Sequence, residues 1–527
     1  MRTFLFNIIK MKKLKLVSLA IAMACATPSF AGGLLTNTNQ HVAFNRMMSR
    51  EASIGIDGVY YNPAGVVFMG EGKHLAINWQ LAYQTRSIEN DYPLFTNNVN
   101  NPTTPREFKG KAFAPVIPSF QYAYNKGRWS LQAGFALTGG GGKCTFDDGL
   151  GSFEKIVAET ALAACQLAGA VDQVAAQYGV PAVFTSDKSF GKEGKYSYNS
   201  YMHGRQYYYG LSLGAAYKFS DNFSAFAGVR GVYASTNYYG YVENIKVGAM
   251  PLYMVLDPTK ETAANIELSC DQSGVGFTPI IGVDFKTGKW NFAAKYEFKT
   301  RIRLKNKSVN QAPSIGNLPD NLRNAYIAGG VPEAAADAII GNPVIQGAMG
   351  QLKTQFDAKL EEAIGEYEDG KKIAGDIPAY LALGVGYSPV NAVRVNVGFH
   401  WFDDKHATSY NNRQEKLDRG TLEYNAGVEV DVNKKITLST GWQNTNYGLS
   451  DEYMDDKSFV VGSNSAAIGG VYHINKKMDL NVAYFHTFYQ HKKTSEKVQL
   501  SANQSINYNS DYTRNNNVFA VGLDINF

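Results

Sequence analysis

Hydrophobic residues alternate with polar or small ones along many segments of this chain. In residues 75–83, which read LAINWQLAY, every second side chain is large and apolar. Because successive side chains of a β-strand point to opposite faces, this period of two predicts strands with one apolar and one polar side. The same pattern recurs up to the last segment, whose apolar side carries Phe519, Val521, Leu523, Ile525 and Phe527.

The connections between these segments are of two kinds. Tight turns rich in Asn, Lys and Gly alternate with long connections. About fourteen strands of about ten residues result, which is the length that crosses a bilayer when tilted. We therefore predict an all-β fold, a transmembrane antiparallel barrel with short periplasmic turns and long extracellular loops. The predicted loops are 88–112, 139–200, 240–273, 305–375, 403–419, 445–462 and 489–512.

Alternation alone is also compatible with a soluble β-sandwich or propeller. Three features favour the membrane barrel: aromatic residues cluster at strand ends, loop lengths differ on the two sides, and the chain stops at Phe527 on an alternating strand. Aromatic residues make up 13% of the chain, with 33 Tyr. No apolar run after the N-terminus approaches the roughly 18 residues that a spanning helix needs.

The N-terminus has the pattern of a signal peptide. Lys12, Lys13 and Lys15 precede an apolar stretch, and Ser29-Phe30-Ala31 supplies the small residues of a cleavage site. Translation could begin at Met1 or at Met11. A lipoprotein start at Cys25 is an alternative. We expect residues 1–31 to be removed, with the protein exported to the bacterial outer membrane.

Charge and cysteine content add little that is specific. The chain has 51 basic and 46 acidic residues, and residues 1–31 contain five of the basic ones. The mature chain is therefore formally neutral, and nothing predicts nucleic-acid binding. Cys144, Cys165 and Cys270 lie in predicted loops and allow at most one disulfide.

Two of the long loops carry helical patterns. Apolar residues recur at helical spacing in residues 153–178 and 331–366. We predict amphipathic helices over the extracellular mouth. Their apolar faces need a partner, which is either the other helix or an apolar ligand.

Residues 32–72 precede the barrel, which we place at 73–527, and their apolar residues do not alternate. Asn62-Pro63-Ala64 is locally informative, since Asn caps a helix and Pro suits its first position. A short helix from Pro63 through Met69 is predicted. A polar segment at the periplasmic start of a barrel most simply lies inside it as a hatch. A loose periplasmic tail is the alternative.

This N-terminus resembles the FadL-type family of outer-membrane transporters for long-chain fatty acids and other hydrophobic compounds. The resemblance rests on Leu34-Leu35 after the cleavage site, Ala52 and Gly55, and Asn62-Pro63-Ala64. Further along, Ala114-Pro115, Gly127-Arg128-Trp129 and the terminal Phe527 also fit the family. It implies a fourteen-stranded barrel with a hatch, and passive uptake of a hydrophobic ligand, with long-chain fatty acids as the expected class.

The resemblance also implies site residues. Leu34, Leu35, Asn62, Pro63 and Ala64 would form the gating part of the hatch. Family members kink the third strand to open the barrel wall, and Gly139, Gly140, Gly141 and Gly142 are the candidates for such a lateral opening, or for the start of a plain loop. Arg230 and Lys246 are the candidates for holding a ligand carboxylate. Expected partners are the hydrophobic ligand, outer-membrane lipid with lipopolysaccharide, and the barrel assembly machinery that reads Phe527.

Catalysis is not predicted. His400 with Asp403 and Asp404 could suggest a hydrolase, but no nucleophile motif accompanies them. A solvated histidine in the lumen or at the rim is the preferred interpretation. No Cys/His cluster has metal-ligand spacing, so neither a metal nor a cofactor is expected. A general diffusion porin and a structural or adhesive barrel are the rival functions, and neither predicts an ordered segment beside an apolar pocket.

Overall fold

The computed structural model describes residues 34–313, 317–350, 353–354, 365–501 and 504–527, so the predicted signal peptide lies outside the described residues. One antiparallel sheet closes on itself. The first strand, β1 (Gly72–Asp91), pairs with the last, β14 (Gln504–Asn526), from His74 opposite Asn526 onward. The sheet is therefore a closed antiparallel barrel of fourteen strands, as predicted.

Three of the fourteen strands are interrupted, and a short paired segment, Met250–Pro251, lies in a loop. The strands between the first and the last are β2 (Arg106–Lys126), β3 (Trp129–Phe146), β4 (Tyr196–Lys218), β5 (Phe223–Val247), β6 (Ile266–Thr287), β7 (Trp290–Glu297 and Arg303–Gln311), β8 (Lys372–Ala374 and Tyr380–Val390), β9 (Val393–Phe402), β10 (Thr421–Asn433), β11 (Ile436–Asn446), β12 (Ser463–Asn475) and β13 (Met478–Tyr489 and Lys492–Ser501).

The outward and inward faces of the strands confirm the membrane interpretation. On β1, Ile77 and Trp79 are 53% and 38% exposed, whereas Asn78 and Gln80 between them are 3% and 1% exposed. A soluble protein buries its apolar residues and exposes its polar ones. The inverted pattern fits a barrel whose outer face meets lipid.

Several strands are longer than the sequence pattern predicts. The region 489–512 was predicted as a loop, yet Lys492–Ser501 pairs with β14 there. β3 likewise continues through its glycines to Phe146. The large apolar residues stop where lipid contact stops, but the backbone ladder continues into solvent. Alternation therefore underestimates strand length.

Helices occur in the N-terminal segment and in the loops. They include α1 (Val42–Met47), α2 (Gly58–Tyr61), α3 (Gly151–Ala176), α4 (Tyr253–Leu256), α5 (Leu318–Ala328) and α6 (Glu333–Ile340). Among the described residues, no helix is both long and apolar enough to cross a membrane.

The helical loops pack against one another, which is one of the two predicted arrangements. Phe153 and Val157 of α3 share one buried core with Tyr326 of α5 and Ile339 of α6. α3 confirms the first predicted helix, 153–178. In the second predicted region, 331–366, α6 and residues 343–350 and 353–354 are helical, while residues 351–352 and 355–364 lie outside the described residues.

Two of the three mature cysteines lie in strands rather than in loops, contrary to the sequence-based expectation, whereas the third lies in a loop helix as expected. Cys144 is in β3, Cys165 is in α3 and Cys270 is in β6, and all three are buried and free. For Cys144 and Cys270 the prediction failed because the strands extend beyond the apolar band, which is also why strand lengths were underestimated.

The short turns and long loops predict the accessibility of inserted tags. A tag after Asp187, in the loop before β4, should be labelled on intact cells by a membrane-impermeant reagent. A tag between Asn475 and Lys476, in the turn between β12 and β13, should be labelled only after lysis. Labelling at Asn475 on intact cells would contradict the predicted orientation.

Candidate ligand pathway

Residues 34–70, here called the N-terminal segment, contact inward-facing side chains around the ring of strands. Asn39 Nδ2 donates to Gln80 Oε1 of β1 at 3.0 Å, and Ser119 Oγ of β2 donates to the Gln40 carbonyl at 2.6 Å. On the opposite wall of the barrel, Asn396 Nδ2 of β9 donates to Ser53 Oγ of the segment at 2.8 Å. The segment therefore occupies the inside of the barrel.

Buried ion pairs hold this segment to the far wall. Arg46 Nη1 lies 2.7 Å and Arg50 Nη1 lies 2.9 Å from the same carboxylate oxygen of Glu429 in β10. Arg50 Nε also lies 2.7 Å from Asp57, within the segment itself. All four side chains are less than 10% exposed. Removing one partner from such a pair leaves an uncompensated buried charge, which costs about 3–5 kcal/mol.

His400 belongs to a second buried network. Its Nε2 lies 2.7 Å from Glu51 of the N-terminal segment, and its Nδ1 lies 2.9 Å from Glu423 of β10. The side chain is fully buried, so the prediction of a solvated histidine was wrong, although it does face inward. The sequence could not show this burial, because Glu51 is far away in the chain and reaches His400 only when the segment folds inside the barrel.

Asn62-Pro63-Ala64 lies at a turn against the barrel wall. The Asn62 carboxamide oxygen accepts from the Gly65 amide at 3.1 Å, and its Nδ2 donates to Asp284 of β6 at 2.5 Å. A short 3₁₀ helix, Gly65–Met69, follows. The helix therefore begins two residues later than predicted, with Ala64 rather than Asn62 at its N-cap, while the Asn62 side chain holds the turn that precedes it.

Asn62→Ala should loosen this part of the segment, since it removes these two hydrogen bonds and a third to the Ser53 carbonyl, and deprives the Asp284 carboxylate of a donor. We expect a local destabilisation of about 1–3 kcal/mol, measured as faster amide exchange in residues 55–70 by mass spectrometry. Pro63→Ala is the matched control, because the Pro63 carbonyl that accepts from Gln132 is retained. Equal exchange in both variants would show that the Asn62 side chain does not anchor the turn.

The ladder between β2 and β3 is interrupted where the glycine run lies. Pairing stops between Phe113 and Phe120 of β2, and the register shifts across this gap. Pro115 and Pro118 lie within it, and proline has no amide to donate to a neighbouring strand. On β3, the positive φ angles of Gly140, Gly141 and Gly142 are +71°, +154° and +101°, a region in which glycine is favoured.

The start of the N-terminal segment lies over this interruption. Thr36 forms an antiparallel bridge with Gly139, and the Gly140 amide donates to the Leu35 carbonyl at 3.3 Å. A Cβ added to Gly139 would meet the Leu35 carbonyl at 2.9 Å, so the close approach also requires glycine there. The alternative of a plain loop start is wrong, because the run is part of β3.

A cavity of about 410 Å³ lies between the tip of the segment and the long loops. Leu34 and Leu35 line it together with Tyr208, Leu304 and Ile373. These wall residues belong to one apolar cluster, against which Leu35 packs. The structure thus brings both predicted leucines to a cavity, while their gating role stays a prediction.

Charged side chains line the loop side of the same cavity. The basic residues are Arg413, Lys416 and Lys457, and the acidic ones are Glu366, Asp376, Asp404, Glu452 and Asp455. Burial alone would raise the pKa of Asp455, but Lys457 and Arg413 hold it below its ordinary value. Burial raises the pKa of Asp404 to about 6. The cavity therefore combines an apolar wall with a strongly polar one.

Asp404 connects the tip of the segment to the barrel. One carboxylate oxygen accepts from the Leu34 amide at 3.3 Å, and the other accepts from the Thr421 amide of β10 at 2.9 Å. The adjacent Asp403 pairs with His406 instead. His400, Asp403 and Asp404 thus have separate partners and form no common site.

The structure does not bring the two predicted carboxylate-binding residues to the cavity. Arg230 makes a two-pronged pair with Glu297 at 2.5 and 3.0 Å, deep in the barrel. Lys246 is exposed near the outer end of β5. Sequence reasoning missed Arg413 and Lys457, because both lie in loops without regular patterning. No group of residues suited to a metal ion is present in the described part of the chain.

Comparisons with known proteins agree with this architecture. By sequence, the chain matches no protein-family model and no curated protein. By structure, it is similar to a Pseudomonas aeruginosa FadL homologue, with a TM-score of 0.57 and 14% identity over 94% of this chain and 100% of that one. A TodX deltaS2S3 mutant monoaromatic hydrocarbon channel has a TM-score of 0.52 and 14% identity, over the same shares of the two chains.

At this level of identity the likeness concerns the fold. The number of strands and the closure of the barrel are those expected from the resemblance of the N-terminal residues to the FadL-type family. This chain has the fold of the FadL-type outer-membrane transporters.

Proposed function

We propose that the protein takes up hydrophobic compounds passively across the bacterial outer membrane. The observation that carries the proposal is the position of Leu34 and Leu35, which line a partly apolar cavity while the chain behind them fills the barrel. A ligand in this cavity touches the part of the N-terminal segment that must move for the ligand to pass. The segment acts as a hatch.

Two routes lead inward from the cavity. The first passes the Leu35–Gly140 contact toward the gap between β2 and β3, where displacement of the segment would open the wall to lipid. The second leads through the barrel to a basin of about 290 Å³ at the short-turn end, lined by Arg50, Lys286, Lys289 and Arg394 among others. We favour the first, because the second requires the buried ion pairs of Arg50 to break.

The cavity suits a compound with an apolar body and a polar end. Long-chain fatty acids are our proposed class, since Arg413, Lys416 and Lys457 can meet a carboxylate. Five acidic residues on the same wall oppose a bare anion, so the ligand's polar end must lie near the basic residues. An uncharged aromatic hydrocarbon is the second candidate, because the wall around Tyr208 is apolar and needs no counter-charge.

Uptake into cells lacking other transporters of this type tests the function. We expect radiolabelled oleate to enter faster with the protein than without it, and unlabelled oleate to compete better than toluene or an aliphatic amine. If toluene competed and unlabelled oleate did not, the substrates would instead be aromatic hydrocarbons. Wild-type conductance to small hydrophilic solutes in planar bilayers, without oleate uptake, would instead support a general porin.

A further inference from the structure

A row of five polar residues, four of them charged, crosses the outer face of the barrel above its apolar band. Lys143 of β3 lies directly opposite Arg205 of β4, and Arg205 lies opposite Asn237 of β5. The row continues to Asp271 of β6 and Lys307 of β7. Its side chains stand on five adjacent strands, with directly opposite Cβ atoms about 4.5–5.5 Å apart.

The row lies at the height of the lipid headgroups. Along the outer face of β4, Tyr217 at the short-turn end is followed by apolar residues, then by Tyr209 and Tyr207, and then by Arg205. From Tyr217 to Arg205 the strand rises about 30 Å along the barrel axis, at roughly 3.3 Å per residue and a tilt of about 40°. This slightly exceeds the apolar band of about 25 Å that such barrels present to lipid.

The positive charges of Lys143 and Arg205 have no acidic neighbour in this row. Two like charges directly opposite each other, as at Lys143 and Arg205, are destabilising. Neither forms a salt bridge with a described residue, and the buried Nε of Arg205 has no hydrogen-bond partner among them. Asp271 is the acidic member of the row, and it accepts from Asn237 at 2.9 Å.

We propose that Lys143 and Arg205 bind a phosphate of lipopolysaccharide in the outer leaflet. A sugar-linked phosphate carries close to two negative charges and accepts several charge-assisted hydrogen bonds, which suits an opposed Lys–Arg pair. The acyl chains of the same lipid would lie on the exposed apolar residues below, Tyr209 and Leu211 of β4 among them. A free phosphate would lack that second contact.

The test uses the purified, assembled protein in nanodiscs. The probes are bisphosphorylated lipid A, its dephosphorylated form and inorganic phosphate. Lys143→Glu with Arg205→Glu should retain about tenfold less bisphosphorylated lipid A than wild type, by mass spectrometry after detergent exchange. Lys434→Glu with Lys435→Glu makes the same charge change at an exposed short turn and should retain the wild-type amount.

Wild type should also retain less dephosphorylated lipid A, and inorganic phosphate should not displace the bound lipid. Equal retention by wild type and the Lys143/Arg205 variant, or equal retention of both forms of lipid A, would overturn the proposal. Displacement by inorganic phosphate would overturn it too, by showing a site for free anions. If the charge reversal prevents assembly, judged by heat-modifiable mobility, Lys143→Gln with Arg205→Gln replaces it with the same expectation.

Discussion

Arg50→Ala is expected to open the barrel to small hydrophilic solutes that the wild type excludes. The substitution removes the cation shared by Glu429 and Asp57 and leaves Asp57 buried without its arginine partner. The N-terminal segment should lose about 3–5 kcal/mol of its attachment. Single-channel recording in planar bilayers measures the effect, and limited proteolysis of the segment reports it independently.

Arg394→Ala is the matched control for this experiment. Arg394 also pairs with Glu429, at 3.2 Å, but its side chain is 35% exposed, against 8% for Arg50. Because solvent can compensate for the loss of this arginine, we expect the attachment of the N-terminal segment to weaken by about 1 kcal/mol or less. If both variants conducted alike, or neither did, the buried pair would not be what holds the segment closed.

Leu34→Asn combined with Leu35→Asn is expected to reduce uptake of a hydrophobic ligand about tenfold, equivalent to ~1.4 kcal/mol. The backbone bonds of these residues to Asp404 and Gly140 do not depend on the side chains. The change therefore removes apolar contact while leaving the tip of the segment attached. The measurement is radiolabelled oleate and toluene uptake in cells with equal amounts of assembled barrel.

Ile54→Asn is the control for the leucine variant. Ile54 is an apolar residue of the same segment, 38% exposed, and it lines the basin at the short-turn end rather than the cavity. Its replacement should leave uptake near the wild-type rate. Unchanged uptake in the leucine variant would show that the side chains of Leu34 and Leu35 are not part of the ligand pathway. Deletion of residues 32–35 tests the same point more drastically.

Local signals in the sequence were sufficient for the barrel. A strand facing lipid on one side must alternate, and residues 75–83 do so without reference to the rest of the chain. The turn after Asn62 was predictable for a similar reason, because the Asn62 side chain bonds to the amide of Gly65, only three residues further along the chain. Such features depend on contacts within a few residues, so the order of residues is enough to reveal them.

Only the tertiary structure decided which polar residues meet inside the barrel. Arg230 was a reasonable candidate for a ligand until Glu297 was found beside it, and His400 was expected in solvent until Glu51 was found against it. Arg413 reaches the cavity from a loop without regular patterning. A polar inward-facing position looks the same in the sequence whether it binds a ligand, pairs with another strand or holds the N-terminal segment. Alternation identifies the face, whereas the partner depends on barrel closure and on how the segment folds within it.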